Sequence, residues 1–178
     1  SALCDELNRR AIVPQVIVDA GCGDGAIGTV LKQRFPHSWL VGVEKDRGRW
    51  GRALDSHTGR QCAYDCVDHM DWLGESPDDL RDWSAIGPSR LAPDIIVSNP
   101  PFKHALRFLE LARKRVMIGG YVAFLLKAQF DQETPEREAF FDSLRKADGS
   151  EGYGLLRIKG RIPFRGGSNS DTCTYHWV

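Results

Sequence analysis

The chain has 178 residues, enough for one domain, residues 1–178, with a sizeable buried core. Apolar residues make up 42% and charged residues 27%; 24 Lys and Arg balance 24 Asp and Glu, so no global field draws in polyanions and nucleic-acid contact would need a local basic patch. No apolar run approaches the roughly 20 residues that cross a bilayer, and the N-terminus lacks the basic-then-apolar plan of a signal peptide.

Residues 1–11 read as a short amphipathic lead-in carrying little information. Val16-Ile-Val18 is a compact β-branched run expected to form a buried strand. It runs into Asp19-Ala-Gly-Cys-Gly-Asp-Gly25, and Ala26 to Arg34 then has helical spacing and ends before Pro36. Strand, glycine-rich turn and helix form the opening unit of an open α/β sheet. Gly21, Gly23 and Gly25 free the backbone to adopt unusual φ and to let a ligand approach it closely. The spacing is Gly-x-Gly-x-Gly, in place of the Gly-x-Gly-x-x-Gly of dinucleotide binders, although Gly28 supplies the latter's third glycine. Asp19 and Asp24 would repel a pyrophosphate; they suit a ligand bearing an ammonium group and hydroxyls.

Trp39 to Val43 reads as the second strand, closing on Glu44-Lys45-Asp46. A carboxylate about 20 residues beyond the glycine turn is where open α/β folds hold ribose hydroxyls, and Glu44 follows the last apolar strand residue. Asp46 is expected to cap the next helix, from about Arg47. Gln61 to Val67 reads as a third strand with Asp68 at its end, and Asp71 suits a helix start. His57, Cys62, Cys66 and His69 invite a zinc reading, but their spacing matches no common finger, so no metal is expected. The five cysteines are odd in number and scattered, which argues for reduced thiols in the cytoplasm.

Residues 74–93 are polar and proline-bearing, and read as a short helix (Asp78 to Trp83) and a loop. Ile95 to Val97 is an apolar strand cut off by Ser98-Asn-Pro-Pro-Phe102, because consecutive prolines cannot donate to a ladder. Asn99 precedes a proline and is biased to extended backbone, so its amide projects from the strand end. A rigid turn presenting one amide and one ring suits a flat molecule carrying an amino group. The plain alternative is a strand terminator with Phe102 folded into the core. A helix follows from about His104 to Val116, then a strongly apolar strand from Tyr121 to Leu126 and a Thr134-Pro135-initiated helix reaching Ala147. Leu155 to Ile158 and Thr172 to Val178 read as the last strands. From Arg157 to Arg165 there are four cations and no acid, the one strong local charge bias.

The order Val18-Asp-Ala-Gly-Cys-Gly-Asp-Gly25, Glu44, Asp68 and Asn99-Pro-Pro-Phe102 resembles the class I S-adenosylmethionine-dependent methyltransferases over nearly the whole chain. The Asn-Pro-Pro-Phe form is similar to the amino-methylating group, which includes DNA adenine-N6, ribosomal RNA base and protein glutamine methyltransferases. The stretch Arg161 to Trp177 resembles the tail of small phage and prophage DNA adenine methyltransferases. The resemblance implies a Rossmann-like α/β fold: a mostly parallel seven-stranded sheet, helices on both faces and an antiparallel last strand.

It implies S-adenosyl-L-methionine as cofactor, with Gly21, Cys22, Gly23 and Gly25 around its methionine part and Asp19 or Asp24 near its ammonium. Glu44 would take the ribose hydroxyls and Asp68 the adenine amino group, with Lys45 and His69 beside them. Asn99 and the Pro100 carbonyl would accept from the target amino group, Pro101 would stiffen the turn, and Phe102 would stack on the target base. Lys103, Arg161, Phe164 and Arg165 would contact substrate. The implied activity is N6-methylation of a flipped-out adenine in DNA. RNA base methylation, protein glutamine methylation and a silent cofactor-binding subunit are the alternatives. No stretch is spare for a target-recognition domain, so the resemblance also implies weak specificity, a partner subunit, or a recognition segment outside this chain.

Overall fold

A computed structural model describes residues 2–54, 63–74, 92–144, 156–157 and 175–177, the last two ranges as backbone strands. The element order is α1 (Ala2–Arg9), β1 (Val16–Ala20), α2 (Ala26–Arg34), β2 (Trp39–Glu44), α3 (Arg47–Leu54), β3 (Cys66–His69), β4 (Ile95–Ser98), α4 (Ala105–Arg115), β5 (Tyr121–Lys127), α5 (Pro135–Asp142), β6 (Leu156–Arg157) and β7 (Tyr175–Trp177). The strands form one seven-stranded sheet in the order β3-β2-β1-β4-β5-β7-β6. Pairing is parallel from β3 through β5. β7 runs antiparallel to β5 and to β6, as the family resemblance implies for the last strand.

The central strands are apolar on both sides, and alternate residues feed two cores. Val16, Val18, Val41, Val43 and Ile96 face α4 and α5, packing with Phe108, Leu109, Ala112 and Phe141. Ile17, Leu40, Ile95 and Val97 face the other way, with Leu31 of α2 and Ala53 of α3. Such runs are buried because helices cover both faces of a parallel sheet. The chain winds from β1 outward through β2 to β3, then returns to β4 on the other side of β1. That reversal splays the loops after β1 and β4 and opens a crevice at their carboxyl ends.

Three local expectations change. The lead-in is a core element: Leu3, Cys4 and Leu7 of α1 are buried in the second core. The third strand begins at Cys66, with residues 63–65 preceding it outside the strand; Gln61, its expected start, lies outside the described residues. Just before Cys66, the Asp65 N–H donates to the Leu40 carbonyl at 2.9 Å, while the Asp65 carboxylate accepts from the Leu40 N–H at 2.8 Å and from Lys32 at 2.7 Å, so a side chain takes the donor that a ladder carbonyl would otherwise meet. Asp68 and His69 therefore lie inside β3, in register with Val43 and Glu44. Asp46 does cap α3, accepting from the Arg49 N–H at 2.8 Å. Asp71 starts no helix; it caps a turn through the Leu73 N–H at 3.0 Å. The expected helix Asp78 to Trp83, the end of α5 at Ala147, and His57 and Cys62 lie outside the described residues.

Tyr64, just before β3, packs its ring against the start of α2, where an added Cβ at Gly28 would overlap it. In an open helix Gly→Ala gains about 1 kcal/mol. Here Gly28→Ala should instead cost about 1–3 kcal/mol through overpacking. Chemical denaturation checks this, and a raised midpoint would contradict the packing described.

Candidate functional site

The turn after β1 needs three residues in the left-handed region: Gly21 at φ 72°, Gly23 at 58° and Gly25 at 84°. Side chains with a Cβ are strained there. The end of β2 closes this turn. The Val43 carbonyl accepts from the Gly21 and Cys22 N–H groups at 2.8 and 2.9 Å. Glu44, buried, accepts from the Gly23 N–H through Oε2 at 2.9 Å and from the Asp46 N–H through Oε1 at 2.8 Å. One carboxylate thus joins the glycine turn to the start of α3, and each of its oxygens keeps acceptor capacity for a further donor.

Asp19, the penultimate residue of β1, is completely buried. Its Oδ2 accepts from the Tyr64 hydroxyl at 2.7 Å, while its Oδ1 has no hydrogen-bond partner. Burial raises its pKa to about 7; the Tyr64 hydrogen bond and, more weakly, the Gly28 N–H oppose the rise, and the Glu44 charge adds to it. Burial, reinforced by Asp19 and Glu44, also pushes the Cys22 thiol well above its ordinary range. Cys22 is therefore a packed thiol of the turn with no nucleophilic character.

Asp24 is turned to the surface, where it pairs with Arg52 of α3 at 3.0 Å. Along the outer edge, Cys66 Sγ lies 3.3 Å from Asp68 Oδ1, and His69 Nε2 lies 3.1 Å from the Lys45 carbonyl. The His69 ring packs 5.3 Å from that of Trp50, whose indole N–H donates to the Val67 carbonyl. The Lys45 ammonium reaches Asp71 at 3.4 Å. Lys45 and His69 thus hold the β2 and β3 tips together, with Asp68 between them on β3.

At the switch point the Ser98 hydroxyl donates to the Ala20 carbonyl at 2.5 Å, tying the end of β4 to that of β1. Asn99 follows one residue later and is exposed, Pro100 is buried, and Pro101 is extended at φ −58°, ψ 125°. Phe102 opens a single 3-10 turn, with the His104 N–H donating to the Pro101 carbonyl at 2.8 Å. Its ring is 37% exposed, so it is not folded into the core. The Lys127 ammonium at the tip of β5 lies over this ring, 4.6 Å from its centroid. Lys103 is exposed beside it.

The fold thus gathers Asp19, the glycine turn, Glu44, Lys45, Asp68, His69 and Asn99 to Lys103 at the carboxyl ends of four neighbouring strands. Arg161, Phe164 and Arg165 lie outside the described residues. Sequence reasoning passed over Tyr64, Ser98 and Lys127. The first two act on partners 45 and 78 positions away, which no local pattern announces. Lys127 carried a signal, as a cation ending an apolar strand. Gln129, two residues on, holds the unusual φ of 68° for a residue with a side chain.

No family model matches the chain. Ribosomal RNA large subunit methyltransferase G of Shewanella sp. (strain W3-18-1) is 29% identical over 121 residues, covering 58% of this chain and 27% of that protein. Trans-aconitate 2-methyltransferase of Acidovorax sp. (strain JS42) is 28% identical over 123 residues, covering 67% of this chain and 41% of that protein. The matched region spans only about a quarter to two fifths of these curated relatives. Among solved structures, a provisionally named RNA methyltransferase of Pyrococcus horikoshii superposes with a TM-score of 0.60 at 19% identity, covering 98% of this chain and 80% of that one. This likeness shows the fold, which is the Rossmann-like fold of class I methyltransferases.

A carboxyl whose folded pKa lies above its unfolded one favours the fold at low pH, and that contribution is lost as pH rises toward the folded pKa. For Asp19 the window runs from its ordinary 3.8 to about 7. Asp19→Asn, which removes the buried charge, should therefore stabilise the unliganded chain on the order of 2 kcal/mol more at pH 8 than at pH 4. Thermal melts at both pH values check this; an equal change at each would contradict it.

Proposed function

We propose that this chain is an S-adenosylmethionine-dependent methyltransferase acting on the exocyclic amino group of a nucleobase in a nucleic acid, with adenine N6 of DNA the first acceptor. The observation that carries it is the Asn99-Pro-Pro-Phe102 turn at the switch point, with Asn99 and Phe102 exposed, one residue past the Ser98–Ala20 bond that ties it to the glycine turn.

The residues present fit the cofactor. Asp19 offers a buried oxygen without a hydrogen-bond partner behind the turn, matched to an ammonium group. Glu44 has acceptor capacity left on both oxygens, which suits two ribose hydroxyls. The positive-φ glycines let a ligand lie against main chain. Asp68 is assigned to the adenine amino group, and Lys45 and His69 to framing that end. When bound, the cofactor supplies a methyl group on a positively charged sulfur.

The protein's own part is positioning. An amino group conjugated to a purine is a poor nucleophile, because its lone pair is delocalised into the ring. Asn99 Oδ1 and the Pro100 carbonyl, held by the stiff Pro-Pro turn, accept from the two amino hydrogens and favour a pyramidal nitrogen. That aims the lone pair without a strong base, so catalysis rests on preorganised dipoles and alignment. Phe102 presents a ring on which an extruded base can stack. Lys103, with Arg161, Phe164 and Arg165, is assigned to the polymer backbone.

A second reading, RNA base methylation, draws support from the relatives named as ribosomal RNA methyltransferases. The DNA reading leans on residues 161–177, which lie outside the described residues. Tritiated methyl transfer offered to DNA, RNA and protein in parallel separates them: label in DNA supports the first reading, label in RNA alone the second. Absence of label from all three would support a silent cofactor-binding subunit.

Asn99→Ala should reduce transfer at least about 100-fold while leaving cofactor affinity near normal, measured by single-turnover kinetics and calorimetry. Full activity in that variant would overturn the mechanism. Phe102→Ala should raise KM for the polymer about tenfold, the loss expected for one stacked base, with KM for the cofactor unchanged.

A further inference from the structure

We propose that Tyr64 is a positioning residue for the cofactor: its hydroxyl aims the Asp19 carboxylate at the glycine turn and makes the turn's affinity for an ammonium-bearing ligand proton-linked. The inference rests on the cofactor assignment above and adds to it a residue and a regulation.

Tyr64 is locked in place. An added Cβ at Gly28 would overlap its ring, one at Gly25 would stand 3.2 Å from it, and one at Gly42 3.3 Å. Gly25 and Gly28 belong to the turn and α2, and Gly42 to β2, so three elements leave room for one aromatic ring. The ring's one polar atom reaches through to Asp19 Oδ2 at 2.7 Å. That hydroxyl is the donor, because burial and the Asp19 charge keep the phenol well above its ordinary pKa and hence neutral. With Oδ2 so held, the carboxylate cannot rotate freely, and the partnerless Oδ1 is the oxygen left to meet a ligand.

The groups bearing on Asp19 are the Tyr64 hydroxyl, the Glu44 carboxylate and the backbone N–H of Gly28 at the start of α2, while the neighbouring Cys22 thiol stays neutral. Burial and the Glu44 charge disfavour ionisation, and the Tyr64 hydrogen bond is the larger of the two contacts that favour the charged form, the Gly28 N–H being the other. A carboxyl poised at about 7 must shed its proton to accept an ammonium, so binding on the acid side releases a proton. Affinity should then fall about tenfold per pH unit below the midpoint. Removing the hydroxyl withdraws the larger of the two interactions that favour the charged form, which moves the midpoint upward.

The experiment uses the full chain and S-adenosylhomocysteine, which carries the same ammonium and is chemically stable. Its Kd is measured by calorimetry from about pH 5.5 to about pH 8.5 for the wild type, Tyr64→Phe and Asp19→Asn, with folding checked by circular dichroism. Carboxyl carbon NMR titrates Asp19 in the ligand-free wild type and Tyr64→Phe. The expected result is a wild-type affinity that weakens below about pH 7 and a Tyr64→Phe midpoint about one pH unit higher, mirrored in the NMR titration. Asp19→Asn should bind weakly at every pH. If Tyr64→Phe weakens binding equally across the range, or leaves the midpoint in place, Tyr64 only packs and the inference fails while the cofactor assignment stands. If the folded wild type binds nothing at any pH, the cofactor assignment itself falls, and the inference with it.

Discussion

The ligand edge of this molecule depends on the closure of the β1 turn by the end of β2. Three residues at positive φ leave N–H groups pointing out of line with the sheet, and each would be costly to bury unpaired. The Val43 carbonyl takes the N–H groups of Gly21 and of its neighbour Cys22, Glu44 takes that of Gly23, and the Cys22 carbonyl takes that of Gly25. The parallel register that sets Ala20 beside Val43 makes this possible, since it brings both strands to an end at the same level. Glu44 also holds the Asp46 N–H, and Asp46 in turn caps α3. One carboxylate thus couples the turn, the strand tip and the next helix.

The second determinant is the switch point. β1 lies between β2 and β4, and the loops leaving β1 and β4 turn to opposite faces of the sheet. Ser98 bridges the two ends through Ala20, and the Pro-Pro pair then forbids any extension of β4. Asn99 and Phe102 are left exposed beside the glycine turn, where a cofactor and an acceptor group could meet. Lys127 approaches from β5 and gives the Phe102 ring a cationic neighbour.

Stability and function pull against each other beneath the turn. A carboxylate with its whole side chain buried and one oxygen without a hydrogen-bond partner is a poor choice for a core position. It persists because Tyr64 holds the other oxygen and the surrounding packing is tight. That packing explains why glycines extend beyond the turn itself: Gly28 and Gly42 make room for the Tyr64 ring.

Much of this was legible in the residues themselves. The β-branched run to Val18, the glycine spacing, Asp46 before its helix and the Pro-Pro stop after Ser98 are local signals, because each constrains its own backbone. They sufficed for the α/β alternation and for placing Asp19, Glu44 and Asn99 at strand ends. Tertiary structure decided what each carboxylate touches. Asp24 carries the same charge as Asp19 and sits in the same motif, yet it pairs with Arg52 at the surface while Asp19 is buried against Tyr64. It also turned the N-terminal lead-in into a core helix and started β3 at Cys66, because Asp65 spends its carboxylate on Leu40 and Lys32. The reason is physical: backbone preferences act over a few residues, whereas burial and hydrogen-bond partners are fixed by chain segments that meet only when the sheet assembles.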